Sequence, residues 1–151
     1  MPDANYNQAL ITEAESVKQK ASEHIKRLEF AKSLEVIFAL IDKTNKYLND
    51  EKPWALFKDE KQKEGEAVLY TVLEILRLAT ILIYPFVPNI ASNIWSQLGF
   101  EHNLEKLAAS KPDSALWTER SKVLLNPIHP GQKVKRSGPV FNRIEEKVLS
   151  S

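Results

Sequence analysis

Between Val68 and Ile83 the sequence reads VLYTVLEILRLATILI. Val68, Leu69, Val72, Leu73, Ile75, Leu76, Leu78, Ala79, Leu82 and Ile83 leave an α-helix apolar on most of its circumference. Such a helix has to be surrounded, and a chain of 151 residues must supply the surrounding elements from its own flanks. The segment LRLATILIYPFVP is roughly half the ~20 residues that span a bilayer, so no membrane is expected around it.

The flanks carry helical patterns of their own. From about Asn7 to Arg27, Ala9, Leu10, Ala14, Val17, Ala21 and Ile25 recur near helical spacing in a background of Ala, Glu, Lys and Gln. After a break at Leu28 and Glu29, the residues Phe30, Leu34, Ile37, Phe38, Ile41 and Leu48 trace one inward stripe, which predicts a second helix to about Asn49. Pro53 lacks an amide hydrogen and disfavours helical backbone at Lys52, so that helix stops before it. The same proline suits the first position of a short helical turn through Phe57. The central helix starts near Lys61, and Tyr84 to Pro88 form a stiff two-proline corner. Pro88 opens a last main helix with Ile90, Ile94, Trp95 and Leu98 inward, and Gly99 closes it. From His102 the pattern loosens. No alternation runs long enough to build a sheet. The predicted fold class is all-α: a helical bundle over residues 1–120 and an irregular C-terminal tail over 121–151 packed along it, one domain overall.

Composition excludes more than it assigns. Basic residues number 21 and acidic ones 20, a net charge of +1, so no global field announces nucleic acid and any such contact must be local. The chain has no cysteine, hence no disulfide and no thiolate metal ligand. The start MPDANYNQAL lacks the basic and apolar regions of a secretory signal, and the expected location is the cytoplasm. There is no Gly-rich phosphate loop, and His24, His102 and His129 stand far apart without carboxylates at metal-binding spacing. Glu64 and Glu66, or Glu145 and Glu146, read as solvated helix faces rather than an acid–base pair. No catalytic residue, metal site or cofactor is expected. The run Lys133 to Arg136, KVKR, suits either phosphate or a solvated turn.

One stretch breaks the rule that large apolar residues sit in apolar periodicity. In NKYLNDEKPWALFK, Trp54 follows Asp50, Glu51, Lys52 and Pro53 in a very wet part of the chain. It is either a lid on Phe57 and Tyr47 or an exposed platform, and the residues alone leave both open.

Three phrases carry a family resemblance: LEFAKSLEVIFALIDKTNKYLNDEKPWALFK, LYTVLEILRLATILIYPFVPNIASNIWSQLG and GPVFNRIEE. In order and spacing they resemble the anticodon-binding domain of methionyl-tRNA synthetases across nearly the whole chain. Most specific are the N-K-Y-x(5)-P-W segment, the proline corner Ile83 to Pro88 and the closing Phe-Asn-Arg-Ile-Glu. The resemblance implies the helical bundle of class Ia synthetases. It also implies that the anticodon loop of tRNA(Met), CAU, docks where Trp54 lies, with the ring as platform for the first base, a cytosine. Pro53 beside it would hold the ring ready. Asp42, Asn45 and Asn49, on the helix before it that the family turns to the anticodon, would orient the loop or bond base edges, and Arg143 matches a family arginine near that surface. The partners implied are the tRNA(Met) anticodon loop and a catalytic domain in the parent synthetase, which binds ATP and methionine.

The sequence also departs from the family. HIGH-type and KMSKS-type catalytic motifs are absent, and nothing in Met1 to Ala21 resembles the RNAGF-like helix that supplies two anticodon contacts. The expectation is therefore recognition without catalysis in this chain. Two other readings stand beside it: a helical protein-interaction module, and the corresponding domain of a Leu, Ile, Val or Cys synthetase.

Overall fold

The computed structural model describes residues 6–100, 104–108, 128, 131–136 and 138–140. Its helices are α1 (Gln8–Lys26), α2 (Phe30–Glu51), α3 (Pro53–Lys58), α4 (Gln62–Ile83), α5 (Pro88–Gln97) and α6 (Leu104–Ala108), and no strand occurs among the described residues. The all-α bundle expected from the sequence is what forms, with α4 at its centre. α2 runs two residues past the expected end, and α6 forms after His102, where the pattern loosens and no helix was expected.

Local signals fix the starts of α1, α3 and α5, the last two with proline at their first turn. Asn7 caps α1, its Oδ1 accepting from the Leu10 amide at 3.0 Å. Its own amide donates to Thr71 Oγ1 at 3.0 Å, which fastens the start of α1 to α4. Ala14 and Ala21 are fully buried, and their small side chains let α1 close on α2, where Ser33 Oγ donates to the Ala21 carbonyl at 3.2 Å.

Leu28, at φ 61°, turns the chain between α1 and α2. At this corner the Glu29 carboxylate accepts from Lys32 Nζ at 2.7 Å and is hydrogen-bonded to His24 Nδ1 at 2.7 Å. Those bonds, Lys32's first, hold its pKa down from 4.5 to about 2. A depressed folded-state pKa contributes stability that is complete above the ordinary carboxylate value and is lost as pH falls through the folded one. Glu29→Gln therefore lowers the thermal midpoint at neutral pH, and the difference from the unaltered chain closes as melts step down from pH 4.5 towards 2. A difference that stays constant over that range contradicts the assignment.

The core joins Leu10, Ala14 and Val17 of α1, Ile37 and Leu40 of α2, and Ile75, Leu78 and Leu82 of α4. Trp95 of α5 is 1% exposed and stacks on Phe100, ring centroids 4.0 Å apart. Within this apolar setting α4 buries two charges. Arg77 Nε donates to both Glu74 oxygens, at 3.1 and 3.0 Å, and Arg77 Nη2 to Oε1 at 2.5 Å. Glu74 Oε2 also accepts the buried amide of Ile128 at 3.0 Å, so the C-terminal part of the chain is bonded to the central helix.

Residues 131–136 lie against the C-terminal end of α5. The Lys135 amide donates to the Gln97 carbonyl at 2.7 Å and Gln132 Nε2 to the Leu98 carbonyl at 2.6 Å. Gly99, at φ 83°, follows α5 as expected, and a Cβ there would lie 2.1 Å from the Lys133 carbonyl oxygen, so no other residue fits. Lys133, Lys135 and Arg136 are all exposed. Among the described residues no helix is long and apolar enough to cross a membrane. No group of three His, Cys, Asp or Glu there could hold a metal ion. Trp117, His102, His129, Glu145 and Glu146 lie outside the described residues.

Candidate nucleic-acid interface

Pro53 dictates the local geometry. It cannot continue α2, and Lys52 before it adopts a left-handed conformation, φ 46° and ψ 63°. The Lys52 amide closes α2 on the Leu48 carbonyl at 3.1 Å, while the Lys52 carbonyl accepts from Ala55 at 2.8 Å and Leu56 at 3.2 Å to open α3. One residue is thus the last cap of α2 and the first of α3. Pro53 is buried at the first position of α3, and Trp54 comes next.

Trp54 is 56% exposed, more than a packed lid leaves. What lies under α3 is Phe57 instead. A Cβ added to Gly65 would sit 2.7 Å from Phe57 Cε1, so the ring of α3 rests on the one residue of α4 that makes room for it. Tyr47 faces inward as well: burial raises its phenol pKa, against the lowering effect of a hydrogen bond to Thr71. A cavity of about 370 Å³ opens between α2, α3 and α4, lined by Tyr47, Glu51, Leu56, Lys63 and Glu64 among others.

Asp42, Asn45 and Asn49 are all exposed. Their spacing of three and four puts them on one side of α2, opposite the cavity-lining Tyr47 and Glu51. They form a polar row that leads along α2 to the joint carrying Trp54. Arg143 lies outside the described residues.

Phe38 differs from expectation. Counted in the inward stripe, it is 54% exposed. The reason is angular: it follows the fully buried Ile37 by about 100° around the helix, beyond the reach of α1 and α4. With positions 42, 45 and 49 it completes an i, i+4, i+7, i+11 row. The polar identity of Asp42 and Asn45, on the same face, was the signal that this side is wet.

An all-helical bundle that exposes an aromatic ring at a helix joint and a row of amides and a carboxylate on the helix before it carries the kinds of group that read unpaired bases. A family profile described as the anticodon binding domain of methionyl tRNA ligase matches residues 2–150. The methionine–tRNA ligase of Nostoc sp. is 41% identical over 121 residues, which cover 79% of this chain and 21% of that protein. That of Caldanaerobacter subterraneus is 36% identical over 145 residues, 94% of this chain and 20% of the relative. The fold also matches the free form of Mycobacterium tuberculosis methionyl-tRNA synthetase, with TM-score 0.74, 23% identity, and coverage of 95% of this chain and 28% of that one. The same synthetase solved with methionyl-adenylate gives 0.72. The chain belongs to the family of methionyl-tRNA ligase anticodon-binding domains. It spans about a fifth of the length of these curated relatives.

Proposed function

We propose that this chain binds the CAU anticodon loop of tRNA(Met) in the cytoplasm, supporting methionine attachment by a separate catalytic domain that holds ATP and methionine. The observation that carries the proposal is Trp54, 56% exposed at the start of a short helix whose other aromatic ring is packed away. Unpaired bases are read by stacking on aromatic faces and by hydrogen bonds to their edges. The indole accepts the first anticodon base, and Pro53, buried and fixed, limits the freedom lost when the base arrives. The Asp42 carboxylate suits the exocyclic amine of cytosine or adenine, and the amides of Asn45 and Asn49 offer both donor and acceptor. By family likeness Arg143, in the tail segment 121–151 that follows the 1–120 bundle, adds a cation to the recognition set. The chemistry of methionine activation lies with the catalytic domain.

The test is fluorescence anisotropy of a labelled CAU anticodon stem-loop, beside one altered only at the first anticodon base. Tighter binding of CAU by about tenfold, the value of one good base contact, is expected. Equal binding of both loops overturns the proposal.

A further inference from the structure

Phe38 is left without a role by the bundle and by the anticodon reading alike. Its ring is 54% exposed although α2 has a full inward face of Ile37 and Leu40 to fill the core. Along α2 it heads the row that continues through Asp42, Asn45 and Asn49 to the joint before Trp54. The row begins in an exposed aromatic ring and runs on through polar side chains, and a second exposed ring, Trp54, follows α2 in the chain. Alternation of ring faces with hydrogen-bonding groups is how protein surfaces hold single-stranded RNA.

We propose that Phe38 is a second stacking platform, taking an unpaired loop base that flanks the anticodon triplet. The inference rests on the proposed function and extends it. Helical rise sets the scale: from residue 38 to residue 49 the row covers roughly 16 Å before Trp54 is reached. Bases stacked as in a duplex advance about 3.4 Å each, so a triplet starting on Trp54 ends well short of Phe38. The base on Phe38 is therefore a neighbour of the triplet. Lys46, exposed beside the row, is placed for the intervening phosphates. A phenyl face accepts any base, so this contact adds affinity and carries no preference for the anticodon sequence.

That division of labour gives the test. Both stem-loops, CAU and its first-base variant, are titrated against the unaltered chain, Phe38→Ala, Phe38→Leu, Phe38→Tyr and Trp54→Ala. Phe38→Ala and Phe38→Leu weaken both loops by the same factor, about fivefold to a hundredfold, and leave their ratio intact. Phe38→Tyr keeps the ring and restores binding, whereas Trp54→Ala collapses the ratio. With 2-aminopurine in a loop position flanking the triplet, binding quenches its fluorescence in the unaltered chain and in Phe38→Tyr, and not in Phe38→Ala. Unchanged affinity in Phe38→Ala, with the ratio and its dependence on Trp54 intact, overturns this inference alone. So does equal binding by Phe38→Leu and the unaltered chain, which makes the side chain an apolar contact and no platform. Absence of any first-base preference in the unaltered chain overturns both readings.

Discussion

Trp54→Ala weakens binding of the CAU stem-loop by about fivefold to a hundredfold and abolishes the preference for cytosine at the first position. The magnitude follows from one base–aromatic stack, about 1–3 kcal/mol, at 1.4 kcal/mol per tenfold. The fold survives the change because the ring is 56% exposed while Pro53 beneath it stays buried and Phe57 keeps its seat on Gly65. Surface substitutions of this kind shift stability by less than about 0.5 kcal/mol, so thermal melts of the variant and the unaltered chain overlay. Trp54→Phe retains part of the affinity, since a smaller face still stacks. An alanine variant that binds both loops like the unaltered chain leaves the ring without a part in recognition.

Glu74→Ala has the opposite profile, with a large loss of stability and no direct effect on the loop-binding face. Glu74 and Arg77 are 6% and 3% exposed, and the carboxylate satisfies both the guanidinium and the amide of Ile128. Removing it takes a carboxylate away from a buried cation and the acceptor away from a buried amide. Breaking such a pair costs about 3–5 kcal/mol, a large share of the ~5–15 kcal/mol that holds a domain folded. Urea unfolding measures it directly as a lower midpoint with a nearly constant slope. Replacing both partners by apolar residues of similar volume, Glu74→Leu with Arg77→Met, recovers much of the loss, because nothing charged is then left buried. A loss below about 1 kcal/mol in Glu74→Ala shows that water reaches the pair, which contradicts the enclosure described here.

These two sites mark what the sequence discloses and what it withholds. The positions of the helices follow from local signals that act within a few residues: Pro53, the proline corner, Gly99, and apolar spacing in α1, α2 and α4. Trp54 stands out because its neighbours are polar. The Glu74–Arg77 pair cannot be read this way, since two charges three apart on a helix look the same whether they face water or the core. The carboxylate is also bonded to the Ile128 amide, 54 residues away. Phe38 misleads for a related reason. An apolar stripe counts residues without weighing where neighbouring helices run, and its edge is dry only where a partner covers it. α6 escapes because five residues are too few to establish a period. Of the candidate contacts, Asp42, Asn45 and Asn49 share a face of α2 that helical spacing makes legible, Trp54 stands out by its polar neighbours, and Arg143 rests on family likeness alone.

The joint at Lys52 turns the aim of the indole into a matter of counting. A flexible linker between α2 and α3 would absorb an extra residue, but here one left-handed residue ends one helix and starts the next. Each residue added to α2 after Asn49 would carry α3 about 100° around the axis, changing where the ring stands relative to the polar row. Side chains at Asp50 and Glu51 are thus free to change in kind. Their number is fixed, and the spacing from row to ring acts as a phase setting written in chain length rather than in chemistry.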